Sequence, residues 1–137
     1  MYDEHHDAVR TMLRRGILKA VNTSDADHQR FDVDGHVEES LKNLVSPMHY
    51  GFYSEPMPGA SVQMLMQGGR SDKGHVIGVD DPRYRPKSLA PGASAIYDAS
   101  GQIVSLVQRK IRIVSPDHVV LKAATIHLVG TVVTSDI

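Results

Sequence analysis

The most regular stretch of the chain is SVQMLMQGG, in which Val62, Met64 and Met66 alternate with Gln63, Leu65 and Gln67. A period of two places one set on each face of a strand. Gly68 and Gly69 then open a turn, and GHVIGV reads as the returning strand. Upstream, ILKAV from Ile17 is a first strand. HQRFDVDG puts Phe31 and Val33 on one side of a second, ended by the Asp34-Gly35 turn signal. Residues 16–79 therefore predict short antiparallel strands with regular turns. With one helical turn expected at 36–43 before Pro47, a five-stranded OB-type barrel is the preferred architecture. Ahead of it, Ala8, Val9, Met12 and Leu13 share a helical face. Asp3, Glu4 and Asp7 come early and Arg14 and Arg15 late, as a helix dipole favours. Residues 3–15 thus predict a short helix, with Gly16 as its terminator.

The pattern changes after the barrel. DDPRYRPKSLAP carries three prolines and three basic residues and reads as an extended surface linker; SAIYD re-enters a strand pattern. From Gly101 onward, strand-like runs recur about every eight residues, at 103–107, 111–114, 119–121, 126–129 and 132–134. Several hold apolar residues side by side (Val119-Val120-Leu121, Leu128-Val129, Val132-Val133), so both faces want burial. A single short β-segment has no core to offer two faces and leaves its strand edges unpaired. The tail must pack on the barrel, or several copies must wrap together. Its minimal turns favour the second solution, a slim intertwined prism. The candidates for its shared core are Ile103, Ile111, Ile113, Val119, Leu121, Ile126, Leu128 and Val132.

Composition sharpens the division. All seven aromatics lie at or before Tyr97 and all six methionines at or before Met66, whereas the last 39 residues hold 16 Val, Ile or Thr. Over the 137 residues, 15 Lys and Arg against 16 Asp and Glu give a net charge of -1, which exerts no long-range pull on nucleic acid. Cysteine is absent, excluding disulfides and thiolate chemistry. No apolar run reaches membrane-spanning length, and the N-terminal stretch carries no apolar targeting segment.

Candidate chemistry is sparse. The eight histidines show no His-Glu-x-x-His or His-x-His spacing, and His5-His6 are too close in sequence to chelate together on a helix. QGGRSDKGH lacks the ending of a phosphate loop and reads as a hairpin turn. Asp80-Asp81 precedes a proline in an extended segment, where adjacent carboxylates diverge. Arg83, Arg85 and Lys87 beside Tyr84 are the one hint of nucleic-acid contact; a linker pairing with acidic neighbours is the plainer account.

The run YGFYSEPMPGA, then GGRSDKGHVIGVDDPRYRPKSLAPG, then SAIYDASGQIVSL resembles the baseplate spike proteins of Mu-like contractile-tailed phages, relatives of the P2 spike. The resemblance extends over residues 14–137. It implies an all-β protein: an N-terminal OB-fold barrel followed by a trimeric, intertwined β-helix or β-prism shaft. On this basis, residues 1–15 form the helix or arm, 16–79 the barrel, 80–95 the linker and 96–137 a shaft that is expected to be incomplete at its C-terminal end. The implied partners are two further copies of the chain, the tail tube and baseplate hub proteins, with the host outer membrane contacted mechanically. The implied place is the virion, with assembly in the host cytoplasm. Such spikes hold an apex iron on His-x-His motifs; this sequence has none, so no cofactor or metal is expected.

The sequence thus predicts a structural, non-enzymatic tail spike. A free-standing barrel binding oligonucleotide or oligosaccharide is the alternative, disfavoured by neutral charge and few aromatics. A lytic enzyme is the other class, and 137 residues leave no room for a fused lysozyme domain.

Overall fold

The computed structural model describes residues 12–22, 27–35, 39–70 and 74–135. The chain divides into two compact units, Met1–Lys87 and Ser88–Ile137.

The first unit is a closed five-stranded barrel in the order β1-β2-β3-β5-β4. Its strands are β1 (Leu13–Asn22), β2 (Arg30–Asp34), β3 (Ser40–Val45), β4 (Ser61–Met66) and β5 (Gly74–Asp80). All neighbours are antiparallel except β3 and β5, which meet in parallel at Val45 and His75 and close the wall. The alternation of β4 is realised in full, with Val62, Met64 and Met66 wholly buried. They join Leu18, Phe31, Val33, Leu41, Leu44, Ala60 and Val76 in one core. Burying such side chains is worth about 1.5–3 kcal/mol each. β1 serves two partners, pairing from Leu13 to Ile17 with β4 and from Ile17 to Asn22 with β2. Arg14 fastens one end of the barrel: its guanidinium donates to Glu39 Oε1 at 2.6 Å and to the Gly69 carbonyl at 2.7 Å.

Two helical expectations are corrected here. Leu13, Arg14 and Arg15 belong to β1, not to a helix, and residues 3–11 of that expected helix lie outside the described residues. Gly16 is no terminator. A Cβ there would sit 2.5 Å from Val33 Cγ1 and 2.8 Å from the Asp34 carbonyl, so glycine is what lets β1 cross closely over β2. The helical turn expected at 36–43 is also absent over its described part, because Ser40–Val45 is β3. Residues 36–38 lie outside the described set. Asn43 takes a positive φ of 57°, with its N–H donating to Asp32 Oδ1 at 3.0 Å. That local kink within a strand accompanies the register shift between β2 and β3.

The second unit contains a three-stranded antiparallel sheet in the order β6-β7-β8, built from β6 (Ser94–Tyr97), β7 (Ile103–Val107) and β8 (Lys110–Val114). The turn between β6 and β7 is organised by Asp98. Its carboxylate accepts the N–H groups of Ser100 and Gln102, each at 3.0 Å, and the Gln102 side-chain amide at 2.7 Å. Gly101 supplies the positive φ of 85° that this turn needs. A two-residue turn, Gln108-Arg109, joins β7 to β8 with both residues at positive φ, which is the type I′ geometry. The runs at 119–121, 126–129 and 132–134, expected as strands, form no strand within this single chain. A strand exists only when something pairs with it.

Candidate functional site

Every residue of the buried core belongs to the barrel unit. The β6-β7-β8 sheet leaves its aliphatic side chains exposed or half-buried, none of them buried, and its register shows how they are sorted. Val104 of β7 stands opposite Ile96 of β6 and Ile113 of β8, and Leu106 stands opposite Ile111. Side chains directly opposite share a face. One face therefore collects Ile96, Val104, Leu106, Ile111 and Ile113, with Ser94 as its one polar member. Ile96 is 66% exposed, Leu106 45%, Ile111 73% and Ile113 57%. The other face mixes Ile103, Val107 and Val114 with Ser105, Lys110 and Arg112. A largely aliphatic face left open to solvent is the kind of surface through which proteins associate.

Of the eight core candidates, the structure brings Ile111 and Ile113 together on the aliphatic face. Ile103 lies on the opposite, mixed face. Val119, Leu121, Ile126, Leu128 and Val132 are all exposed along 115–135. The sequence reading passed over Ile96, Val104 and Leu106. Their signal was a period-two match across the Gln108-Arg109 turn, which becomes visible once that turn is recognised as a two-residue hairpin.

The barrel carries two further features. The loop at 48–57 presents Tyr50, Phe52 and Tyr53 to solvent, and Gln29 Nε2 ties it down by donating to the Ser54 carbonyl at 3.0 Å. At the barrel's chain exit, Asp81 and Arg83 form a forked pair. Arg83 Nε donates to Asp81 Oδ1 at 2.9 Å and Nη2 to Oδ2 at 2.8 Å. The guanidinium beside Asp81 holds its carboxyl below the usual carboxylate range, and the carboxylate raises Arg83 in turn. Arg85 reaches Asp80 at 3.3 Å, so this basic cluster pairs with its acidic neighbours.

Catalytic geometry is sparse among the described residues. No group of three His, Asp or Glu among them could hold a metal ion. His118 meets Asp117 at 2.8 Å with both side chains about four-fifths exposed. No helix among the described residues is long and apolar enough to cross a membrane.

The family model for bacteriophage Mu Gp45, N-terminal, matches residues 15–83, half of the chain. The chain belongs to the bacteriophage Mu Gp45 family. The matched span takes in the barrel strands and ends at Arg83, so the family's N-terminal signature coincides with the closed barrel and its exit pair. Among curated Gp45 relatives, the baseplate puncturing device gp45 of Escherichia phage Mu is 32% identical over 100 residues, covering 73% of this chain and 50% of that protein. The Mu-like prophage FluMu protein gp45 of Haemophilus influenzae is 26% identical over 125 residues, covering 91% of this chain and 68% of that protein. The chain thus spans half the length of its phage Mu relative.

Proposed function

We propose that this Gp45-family chain is the central spike component of a contractile phage tail baseplate, located in the virion. In this reading the barrel is an OB-fold; its strand order and the parallel β3–β5 seam support that assignment. Three copies intertwine their chains beyond the linker into a β-helical or prism-like shaft. The barrels cap the tail tube against baseplate hub proteins, and the shaft helps puncture the host outer membrane. The role is mechanical and requires neither catalysis nor a bound cofactor or metal.

The observation that carries this reading is the aliphatic face of Ile96, Val104, Leu106, Ile111 and Ile113, continued by the exposed apolar residues at 119–133. Intertwined chains would cover both at once and pair the strand edges. The name of the phage Mu relative, a baseplate puncturing device, agrees with it.

Light scattering coupled to size-exclusion chromatography tests the proposal. The expected mass is about 45 kDa, three times the 15.0 kDa chain, falling to a monomer when the chain is cut after Tyr97. A stable monomer of the full chain overturns it. The exposed Tyr50, Phe52 and Tyr53 favour a second reading, an oligonucleotide- or oligosaccharide-binding barrel. Binding of such a ligand by a monomer would establish that alternative.

A further inference from the structure

Two segments of the family-like sequence pattern, PMPG at 56–59 and DDPRYR at 80–85, are more than twenty residues apart, yet they meet in the structure. Arg83 Nη2, besides its bond to Asp81, donates to the Pro58 carbonyl at 2.9 Å. Gly59 lies directly beneath the guanidinium. A Cβ at that position would be 3.0 Å from Nη2 and 3.3 Å from Cζ, and its φ of 97° belongs to glycine. The Pro58–Ala60 turn is itself fixed to the barrel wall. Gly59 N–H donates to the Leu18 carbonyl at 2.8 Å, and Leu18 N–H to the Ala60 carbonyl at 2.9 Å.

The exit segment is organised around the same pair. Asp81 Oδ1 accepts the Arg83 N–H at 3.1 Å, and the Asp81 carbonyl accepts the N–H groups of Tyr84 and Arg85, both at 3.1 Å. The Tyr84 ring lies 5.1 Å from Arg83 Cζ, within cation–π range. Arginine suits this place better than lysine, because a planar fork can hold both carboxylate oxygens and the carbonyl together.

We infer that Arg83 is a latch: it straps the segment after β5 across Gly59 and so sets the direction in which the chain leaves the barrel, as far as Lys87. The usefulness of a fixed exit for gathering three tails rests on the trimer reading; the latch itself does not.

The test uses the full chain, whose lack of cysteine permits specific spin labels at Gln63→Cys on β4 and Lys87→Cys. Labelled chain is diluted into unlabelled chain, so that pulsed electron-spin resonance reads distances within one copy. The distance distribution is expected to be narrow in the parent. It should at least double in width in Arg83→Gln and in Asp81→Asn, with Arg83→Lys in between. A control pair at Lys42→Cys and Gln63→Cys, wholly within the barrel, should keep its width. Unchanged widths in both latch variants overturn the inference, as does equal broadening of the control pair, which would make Arg83 a general support of the barrel. A chain that light scattering shows to be monomeric removes the trimer reading and leaves this comparison just as decisive.

Discussion

Leu106 of β7 stands directly opposite Ile111 of β8, and neither is covered by its own chain. Together they form the end of the aliphatic face nearest the Gln108-Arg109 turn. If three copies bury that face, Ile111→Asp places a charge at each of three equivalent sites. Losing the burial of one isoleucine per chain removes about 1.5–3 kcal/mol at each site, before the cost of the buried carboxylate. Sedimentation velocity should therefore show dissociation at concentrations where the parent remains associated. The barrel should melt at the parent temperature, because Ile111 belongs to the second unit. Ile103→Asp, on the mixed face that also carries Lys110 and Arg112, should have a smaller effect on association.

Gly16 gives a prediction for the barrel alone. Gly16→Ala drives a methyl into Val33 and into the Asp34 carbonyl. Overpacking of this kind costs about 1–3 kcal/mol. Urea unfolding of the full chain should show a lower midpoint for the barrel transition. Adding Val33→Ala makes room on the side-chain side only; the backbone carbonyl remains. The double variant should therefore recover less than Val33→Ala and Gly16→Ala would predict for complete relief of the clash, which a double-mutant cycle measures.

How far these features could be read from the sequence depended on range. The alternation of Val62, Met64 and Met66 is a local signal, and it located β4 and the core face correctly. Leu13 sat in a helical pattern with Ala8, Val9 and Met12, but pairing with Leu65 on β4 makes it a strand residue. Tertiary hydrogen bonding outweighed a short local periodicity. Gly16 was informative in sequence and its meaning was not, because the crowding comes from Val33 on another strand. Arg83 was legible as a cation beside Asp81; its bond to Pro58 spans 25 residues and leaves no periodic trace. The runs between Val119 and Thr134 look like strands because of their side chains, yet none of them is a strand among the described residues, since side-chain pattern alone supplies no hydrogen-bonding partner.

The Gln108-Arg109 turn is built from residues that disfavour it. Both have positive φ, 48° and 69°, in a turn for which Asn-Gly is the preferred pair. The double substitution Gln108→Asn with Arg109→Gly supplies that pair. It relieves strain of about 1–2 kcal/mol per residue, less the added entropy of glycine in the unfolded chain. Amide exchange in β7 and β8 should slow by roughly an order of magnitude, since about 1.4 kcal/mol corresponds to tenfold. Arg109→Val, a branched residue at positive φ, should speed it.

Asp98 provides a pH-dependent reading of the β6–β7 turn. The Gln102 N–H, then the Ser100 N–H, stabilise its carboxylate and, with the Gln102 side chain, lower its pKa below the ordinary value near 3.8. A group with a depressed folded pKa contributes stability that is fully present above its unfolded pKa. That contribution is lost as pH falls through the folded pKa. The turn should therefore remain closed throughout the neutral range and open in acid below 3.8. NMR titration should show the Ser100 and Gln102 amide resonances moving together at that lower pH. In Asp98→Asn the acid transition of these amides should vanish. Their exchange at neutral pH should rise, because the Oδ1 that accepts both N–H groups loses its charge and the Gln102 side-chain amide loses its Oδ2 acceptor.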